Sequence, residues 1–223
     1  MSLFDIILAD PPWDFEVWDK DTGNGRSPSA HYNTMNLDAI CGLTVKGVPI
    51  KELTAKDCAL FIWGVWPRIF DLKPVIDAWG FTYKTLAWEW VKLNRSGKGF
   101  HLGMGYYTRA NPEPCLLAIK GNMPVEVKGE RNLLIQYEDD CDPALMGLPM
   151  AGLFPGGLEL PLISPIQKHS QKPDEQYSKI ERLYPGRSWK LELFARRPFS
   201  GWVSFGDQPP QGSDTIVSNH KGV

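Results

Sequence analysis

Leu3-Phe4-Asp5-Ile6-Ile7-Leu8-Ala9-Asp10-Pro11-Pro12-Trp13 is the stretch whose reading decides the fold of this chain. A short apolar run that stops at Asp-Pro-Pro reads as a buried strand followed by a stiff turn, because neither proline has an N–H and each fixes its own φ. Alone, a Pro-Pro pair signals a chain break and Asp10 a turn cap. An acid, two prolines and a tryptophan together at the carboxyl end of a hydrophobic strand instead occupy the place where open α/β sheets bind ligands. The residue types suit one chemistry. An exocyclic amino group needs two acceptors to fix its lone pair, here the Asp10 carboxylate and the Pro11 carbonyl, held by the rigid Pro11-Pro12 turn. A base taken out of its stack also needs an aromatic face, here Trp13.

Working outward, residues 14–29 are polar, with Gly23, Gly25 and Pro28, and lack the period of a regular element. Beside such a site this segment is expected to order over substrate, carrying His31 and Tyr32 toward the base. Residues 58–65 read as a second strand, and 67–79, with Ile69, Leu72 and Ile76 in helical spacing, as a helix closed by Gly80. Residues 82–93 and 114–120 read as further strands. Pro173 opens a helix with Asp174 and Glu175 in its first turn, Tyr177, Ile180 and Leu183 on its apolar face, and Pro185-Gly186 at its end. Residues 189–196 and 202–205 read as closing strands. Alternation of this kind predicts an α/β fold, a mostly parallel sheet with helices on both faces.

With 223 residues, 43% of them hydrophobic, the chain can bury one substantial core, and a single domain over residues 1–210 with a polar tail at 211–223 is expected. No stretch has the apolar length of a membrane span and the first residues lack a signal peptide's pattern, so a cytoplasmic protein without membrane contact is expected. Cys41, Cys58, Cys115 and Cys141, like the four histidines, lack ligand or disulfide spacing, and no metal is predicted. His169 is given at most a positioning role. A net charge of −2 denies the chain a global positive field, so any nucleic-acid contact is local. The candidate is the loop from 92 to 109. Its Lys92, Arg95, Lys98 and Arg109 would hold phosphates while Phe100, Tyr106 and Tyr107 stack on bases; the alternative is a solvated loop.

Several blocks carry a resemblance to a known family. They are Asp10-Pro11-Pro12-Trp13, Tyr32-Asn33-Thr34-Met35, Glu113-Pro114-Cys115-Leu116-Leu117-Ala118-Ile119-Lys120-Gly121 and His169-Ser170-Gln171-Lys172-Pro173-Asp174-Glu175. They are followed by Leu191-Glu192-Leu193-Phe194-Ala195-Arg196 and Gly201-Trp202-Val203-Ser204-Phe205-Gly206-Asp207-Gln208. In this order the chain resembles the MT-A70 family of S-adenosylmethionine-dependent amino-methyltransferases over residues 3–208. The resemblance implies a Rossmann-like methyltransferase fold in permuted motif order, with the catalytic motif first. The usual glycine loop is reduced to Phe194-Ala195-Arg196.

It further implies that Asp10 and Phe194 line the methyl donor, that Lys172 and Arg196 reach its carboxylate or ribose region, and that Asp207 and Gln208 reach its ribose and adenine. An arginine fork suits a carboxylate and an acidic side chain suits ribose hydroxyls. Many relatives carry Asn where this chain has Asp207. The implied reaction is methylation of the adenine amino nitrogen in nucleic acid, DNA rather than RNA. Cytosine as acceptor, RNA as polymer, and a catalytically silent subunit are the alternatives. Residues from about 136 to 163 form an insertion relative to the family, acidic at its start and then apolar. The apolar part is expected to pack on the domain or on a second subunit.

Overall fold

The computed structural model describes residues 3–14, 34–92, 94, 100–103, 107–136 and 172–206. In chain order these form β1 (Phe4–Ala9), α1 (Leu37–Cys41), β2 (Thr44–Val45), β3 (Val48–Pro49), α2 (Ile50–Leu53) and β4 (Thr54–Trp63). A 3-10 helix (Trp66–Asp71), α3 (Leu72–Ala78), β5 (Thr82–Lys92), β6 (Glu113–Lys120), β7 (Leu133–Gln136), α4 (Glu175–Leu183), β8 (Lys190–Leu193) and β9 (Val203–Phe205) follow. Their contacts group into two compact units. The first comprises Met1–Ala87, Pro114–Pro124 and Gly186–Val223, the second Trp88–Glu113 and Val125–Pro185.

In the first unit the strands lie in the order β5-β6-β4-β1-β8-β9. β1 is parallel to β4 and to β8, and β8 is parallel to β9. β6 runs antiparallel to β4, so the sheet is parallel along its β4-β1-β8-β9 part. The register lines up Ala118, Leu60, Ile7, Leu191 and Val203 in one row, and Leu116, Ile62, Ala9, Leu193 and Phe205 in the next. Both rows belong to the core that packs with Ile40 of α1, Ile50 and Leu53 of α2, and Leu72, Val75 and Ile76 of α3. The opposite parity, Ile6, Leu8, Ala59, Phe61 and Trp63, is equally buried, which is why β1 reads as a continuous apolar run rather than an alternating one.

Local chemistry explains the shorter elements. Asn36 caps α1, its side-chain oxygen accepting the Ala39 N–H at 2.8 Å. Lys46 and Gly47, both at positive φ, close the β2-β3 hairpin. The helix expected over 67–79 is broken. Arg68 leaves helical φ/ψ and α3 starts afresh at Leu72. Pro74 has no N–H for the Phe70 carbonyl and its ring would collide with it, so it is tolerated only in a first turn. Gly80, at φ +82°, ends this segment as expected. The strand expected from 58 begins earlier, at Thr54, and the one expected to reach 196 stops at Leu193 because Phe194 adopts φ +63°.

The second unit pairs the end of β5 with β7 in parallel, from Glu89 opposite Leu133 to Lys92 opposite Gln136. Its helix α4 begins two residues after Pro173 and buries Tyr177 and Ile180, followed by buried Tyr184. Glu130 ties the segment before β7 to α4. It accepts hydrogen bonds from Lys179 at 2.6 Å and from Arg182 at 2.8 and 3.0 Å, and Lys179 also donates to the Arg131 carbonyl at 2.7 Å. The Arg182 hydrogen bonds, opposed by burial and joined by Lys179, hold the Glu130 carboxyl at about 2. Among the described residues no helix is long and apolar enough to cross a membrane.

Two outcomes follow from this packing. Leu60→Ala, in the middle of the first row, is expected to lower stability by about 2–5 kcal/mol, read as a fall in the urea midpoint at unchanged m-value. Because the Glu130 pKa is lower folded than unfolded, its contribution is complete above the ordinary carboxylate range and is lost as pH falls toward 2. Urea titrations of Glu130→Gln across pH 2–6 are expected to show a flatter pH dependence in that window than the parent protein.

Candidate active site

The crevice at the carboxyl ends of β1 and β8 is where the sheet changes direction. From β1 the chain continues to β4 on one side, whereas β8 on the other side leads outward to β9. Open parallel sheets bind ligands at this kind of switch point, since the two connections diverge and leave the strand ends uncovered. Ala9 pairs with Leu193, so Asp10 and Phe194 are the first residues beyond the ladder on adjacent strands. The structure thus brings together two blocks that lie more than 180 residues apart in sequence.

The turn after β1 is held from several sides. The Trp13 N–H donates to the Pro11 carbonyl at 2.8 Å, and the Met35 N–H to the Pro12 carbonyl at 2.9 Å. A carbonyl oxygen has two lone pairs, so Pro11 retains acceptor capacity while its orientation is set. Trp13 and Met35 form an isolated parallel bridge, so the chain leaves the turn at Asp14 and is back beside it at Met35. Asp10 is half-buried. His31 and Tyr32 lie outside the described residues.

Trp13 is placed differently from the open stacking face expected of it. Its side chain is 3% exposed, belongs to the apolar core, and donates its indole N–H to the Trp63 carbonyl at 3.0 Å. It anchors the turn after β1 to the end of β4. Exposed aromatic surface on this unit includes Trp66 and, within the helix expected over 67–79, Phe70 at 89% exposure, both on the short helix that follows β4.

At the end of β8, Phe194 occupies the left-handed conformation that glycine ordinarily supplies. The close approach is supplied from the neighbouring strand. A Cβ on Gly206 would meet the Ala195 carbonyl oxygen at 2.3 Å, and the Ala195 N–H donates to the Phe205 carbonyl at 3.1 Å. Arg196 follows, half-buried, at the same end of β8. Asp207 and Gln208 lie outside the described residues. Gly206 thus lets the backbone after β9 close on the turn after β8, beside Arg196 and the strand that leads into Asp10.

In the second unit, Lys172 is only 8% exposed and lies 3.1 Å from Glu113, an ion pair rather than an in-line hydrogen bond. Lys92 bonds the other oxygen of Glu113 and stands 4.7 Å from the centroid of the Trp90 ring. Burial would push the Glu113 carboxyl up, but Lys172 and Lys92 outweigh it and hold it at about 2. Lys92 is therefore an internal partner of Glu113, contrary to its expected place on phosphates. Asn111 closes the base of this loop, accepting from the Lys92 N–H at 2.9 Å and donating to the Lys92 and His101 carbonyls at 2.7 Å each. Of the expected phosphate ligands, Arg109 is exposed, near exposed Tyr107 in sequence, while Arg95 and Lys98 lie outside the described residues. Glu113 and Asn111 had no assigned role from sequence. Their signal is two polar side chains flanking Pro112 at the start of an apolar strand. Among the described residues no three His, Cys, Asp or Glu side chains form a metal-holding group.

Comparison with known proteins places these features in a family. The MT-A70 family model matches residues 4–142 and 159–208, and its interruption falls within the insertion read at about 136–163. That insertion lies almost wholly outside the described residues. A type II methyltransferase, M.MunI, from a Mycoplasma species is 29% identical over 229 residues, covering 96% of this chain and 81% of that protein. An MT-A70-like N(6)-adenosine-methyltransferase of Arabidopsis thaliana is 29% identical over 93% of this chain, and the human N(6)-adenosine-methyltransferase catalytic subunit METTL3 is 28% identical over 93%. The chain spans 24% and 28% of the lengths of these last two. With the family match running from β1 to the residues after β9, the chain belongs to the MT-A70 family of S-adenosylmethionine-dependent methyltransferases.

Proposed function

We propose that this protein methylates the exocyclic amino nitrogen of adenine in nucleic acid, with DNA as its polymer. The observation that carries this reading is the pair of acceptors at the end of β1, the Asp10 carboxylate and the Pro11 carbonyl, the latter held by the Trp13 N–H, beside the turn at Phe194. Likeness along 81% of a type II methyltransferase, against about a quarter of the adenosine methyltransferases, supports DNA over RNA.

Bound S-adenosylmethionine supplies an electrophilic sulfonium methyl. The residues of this chain supply the rest. The adenine amino group would donate its two N–H bonds to Asp10 and to the Pro11 carbonyl, turning the nitrogen lone pair out of the ring for in-line attack; as the N–C bond formed, the S–C bond of the sulfonium would break, S-adenosylhomocysteine would leave, and the surplus amino proton would pass to Asp10 or to water. Asp10 also stabilises the positive charge that develops on that nitrogen, and because the Pro11 carbonyl is already held by the Trp13 N–H, that acceptor needs little reorganisation. By their family positions, Lys172 and Arg196 take the donor's carboxylate and ribose region, Phe194 lies along it, and Asp207 and Gln208 take its ribose and adenine. Arg109, with the exposed rings of Phe100 and Tyr107, supplies a local phosphate and base contact that the net charge of −2 does not provide globally. His31 and Tyr32 are assigned to the substrate from their place in the sequence alone.

Nucleoside mass spectrometry after incubation with methyl donor and matched DNA and RNA, single and double stranded, tests the reaction. Methyladenine is expected in DNA, and Asp10→Ala is expected to abolish it while donor affinity by calorimetry stays within a few-fold. An active Asp10→Ala enzyme overturns the assignment of Asp10, and methyladenine confined to RNA overturns the choice of polymer. Arg109→Ala is expected to make the slope of log affinity against log salt shallower by about one unit, as loss of one phosphate contact requires.

A further inference from the structure

Trp66 and Phe70 are aromatic side chains that the core does not use. Trp66 is 49% exposed and Phe70 89%, whereas their neighbours Val65 and Ile69 pack against the apolar core. The 3-10 helix that carries them is placed by β4. Ala9 pairs with Ile62, so Asp10 leaves β1 level with Trp63, whose carbonyl accepts the Trp13 indole N–H. Trp66 follows three residues later at the same end of the sheet. Neighbouring strands lie about 5 Å apart and an extended residue spans about 3.5 Å, so the Asp10 and Trp66 backbones are no more than about 16 Å apart. At about 3.4 Å per nucleotide of a stacked strand, that is a distance of a few bases.

The helix is a fixed carrier. The Gly64 N–H donates to the Pro114 carbonyl and the Arg68 N–H to the Val65 carbonyl, each at 2.9 Å, and Pro67 has its φ set. Its charges are matched locally, with Arg68 2.6 Å from Asp71 and Lys73, in α3, 2.5 Å from Asp77. Exposed rings among paired charges suit the π-face of a base rather than a phosphate. Two aromatic side chains offer at most about 500 Å², short of the roughly 800 Å² per partner that a stable protein interface buries. Trp13, the aromatic of the Asp-Pro-Pro-Trp turn, is 3% exposed and leaves a base no face to stack on.

We infer that Trp66 and Phe70 are substrate-binding residues that stack on bases flanking the acceptor adenine. This deepens the proposed function and rests on its nucleic-acid substrate. Taking the adenine out of its stack leaves its neighbours without a face, and the two rings supply one.

The probe is a labelled single-stranded thymidine oligonucleotide with one central adenine, and the same strand with abasic sites beside that adenine, each titrated against the full-length protein by fluorescence anisotropy. Trp66→Ala and Phe70→Ala are each expected to weaken the intact probe about five- to a hundredfold and the abasic probe less than about twofold. Trp66→Phe and Phe70→Trp, which keep a ring, retain most of the affinity. The slope of log affinity against log salt stays as in the parent, since no phosphate contact is lost. Thermal unfolding checks each variant, and should Trp66→Ala fail to fold, the more exposed Phe70→Ala carries the comparison. Folded alanine variants with the parent's affinity overturn the proposal, as does an equal loss on both probes. A loss with a shallower salt slope assigns the patch to phosphate and also overturns it. So does a parent that sediments as a dimer and alanine variants that sediment as monomers with unchanged probe affinity, because the rings then serve a protein interface. A parent that binds neither the DNA probe nor its uridine RNA counterpart fails the nucleic-acid reading itself. A parent that methylates adenine while its alanine variants bind the probe normally sinks the stacking role alone.

Discussion

β1 must satisfy its backbone hydrogen bonds toward β4 on one edge and β8 on the other, in a place where Ile6 to Ala9 are sealed from water, and the geometry of the candidate site follows from that constraint. With both ladders fixed, the residues beyond them have defined neighbours. Asp10 emerges beside Phe194, and Trp13 reaches the carbonyl of Trp63. A slip of one residue in either register would turn every buried side chain of β1 to the other face and separate the two halves of the site. Pro11 and Pro12 end the strand without a spare N–H. Their carbonyls, engaged by Trp13 and Met35, cannot swing. Rigidity of the Pro11-Pro12 turn is thus a consequence of burial at the strand.

The second unit is organised by charge. Glu113 and Glu130 each gather two cations, and both carboxyls are held near 2. Such groups add little net stability, since desolvation offsets much of the attraction, but removing one partner leaves an uncompensated charge. What they secure is a unique arrangement. Glu130 joins the segment before β7 to α4, while Glu113 joins the end of β5 to the residue before α4's opening proline.

Much of the fold could be read from residue order because the strongest signals are local. The apolar run of β1, the Gly80 stop, and the Pro173 opening with Pro185-Gly186 at the end of α4 each act within a few residues. Sequence pattern and structure part where two local signals compete or a distant contact decides. Pro74 announces that no helix can run continuously from 67, yet the helical spacing of Ile69, Leu72 and Ile76 masks it. The Asn36 cap and the Lys46-Gly47 turn are legible signals of α1 and the small hairpin, which the reading passed over. The strand ending at Leu193 rather than 196 depends on Phe194 accepting a conformation that side chains rarely adopt. That is acceptable only because Phe205 and Gly206 close on Ala195.

The sequence by itself determined the main strands, the last helix and the family, since an acid, two prolines and a tryptophan after a buried strand carry their meaning within one turn of chain. Only the tertiary structure decided which tryptophan is buried and which aromatic is exposed, and which lysine faces a carboxylate. Trp13 is a core anchor because Trp63, fifty residues away, ends its strand one step past Ile62, the partner of Ala9. Lys92 is an internal ion-pair partner because Glu113 begins the strand β6 within its reach. Polarity and aromatic character are properties of single residues, but accessibility belongs to neighbours brought together by strand register, and no local pattern encodes it.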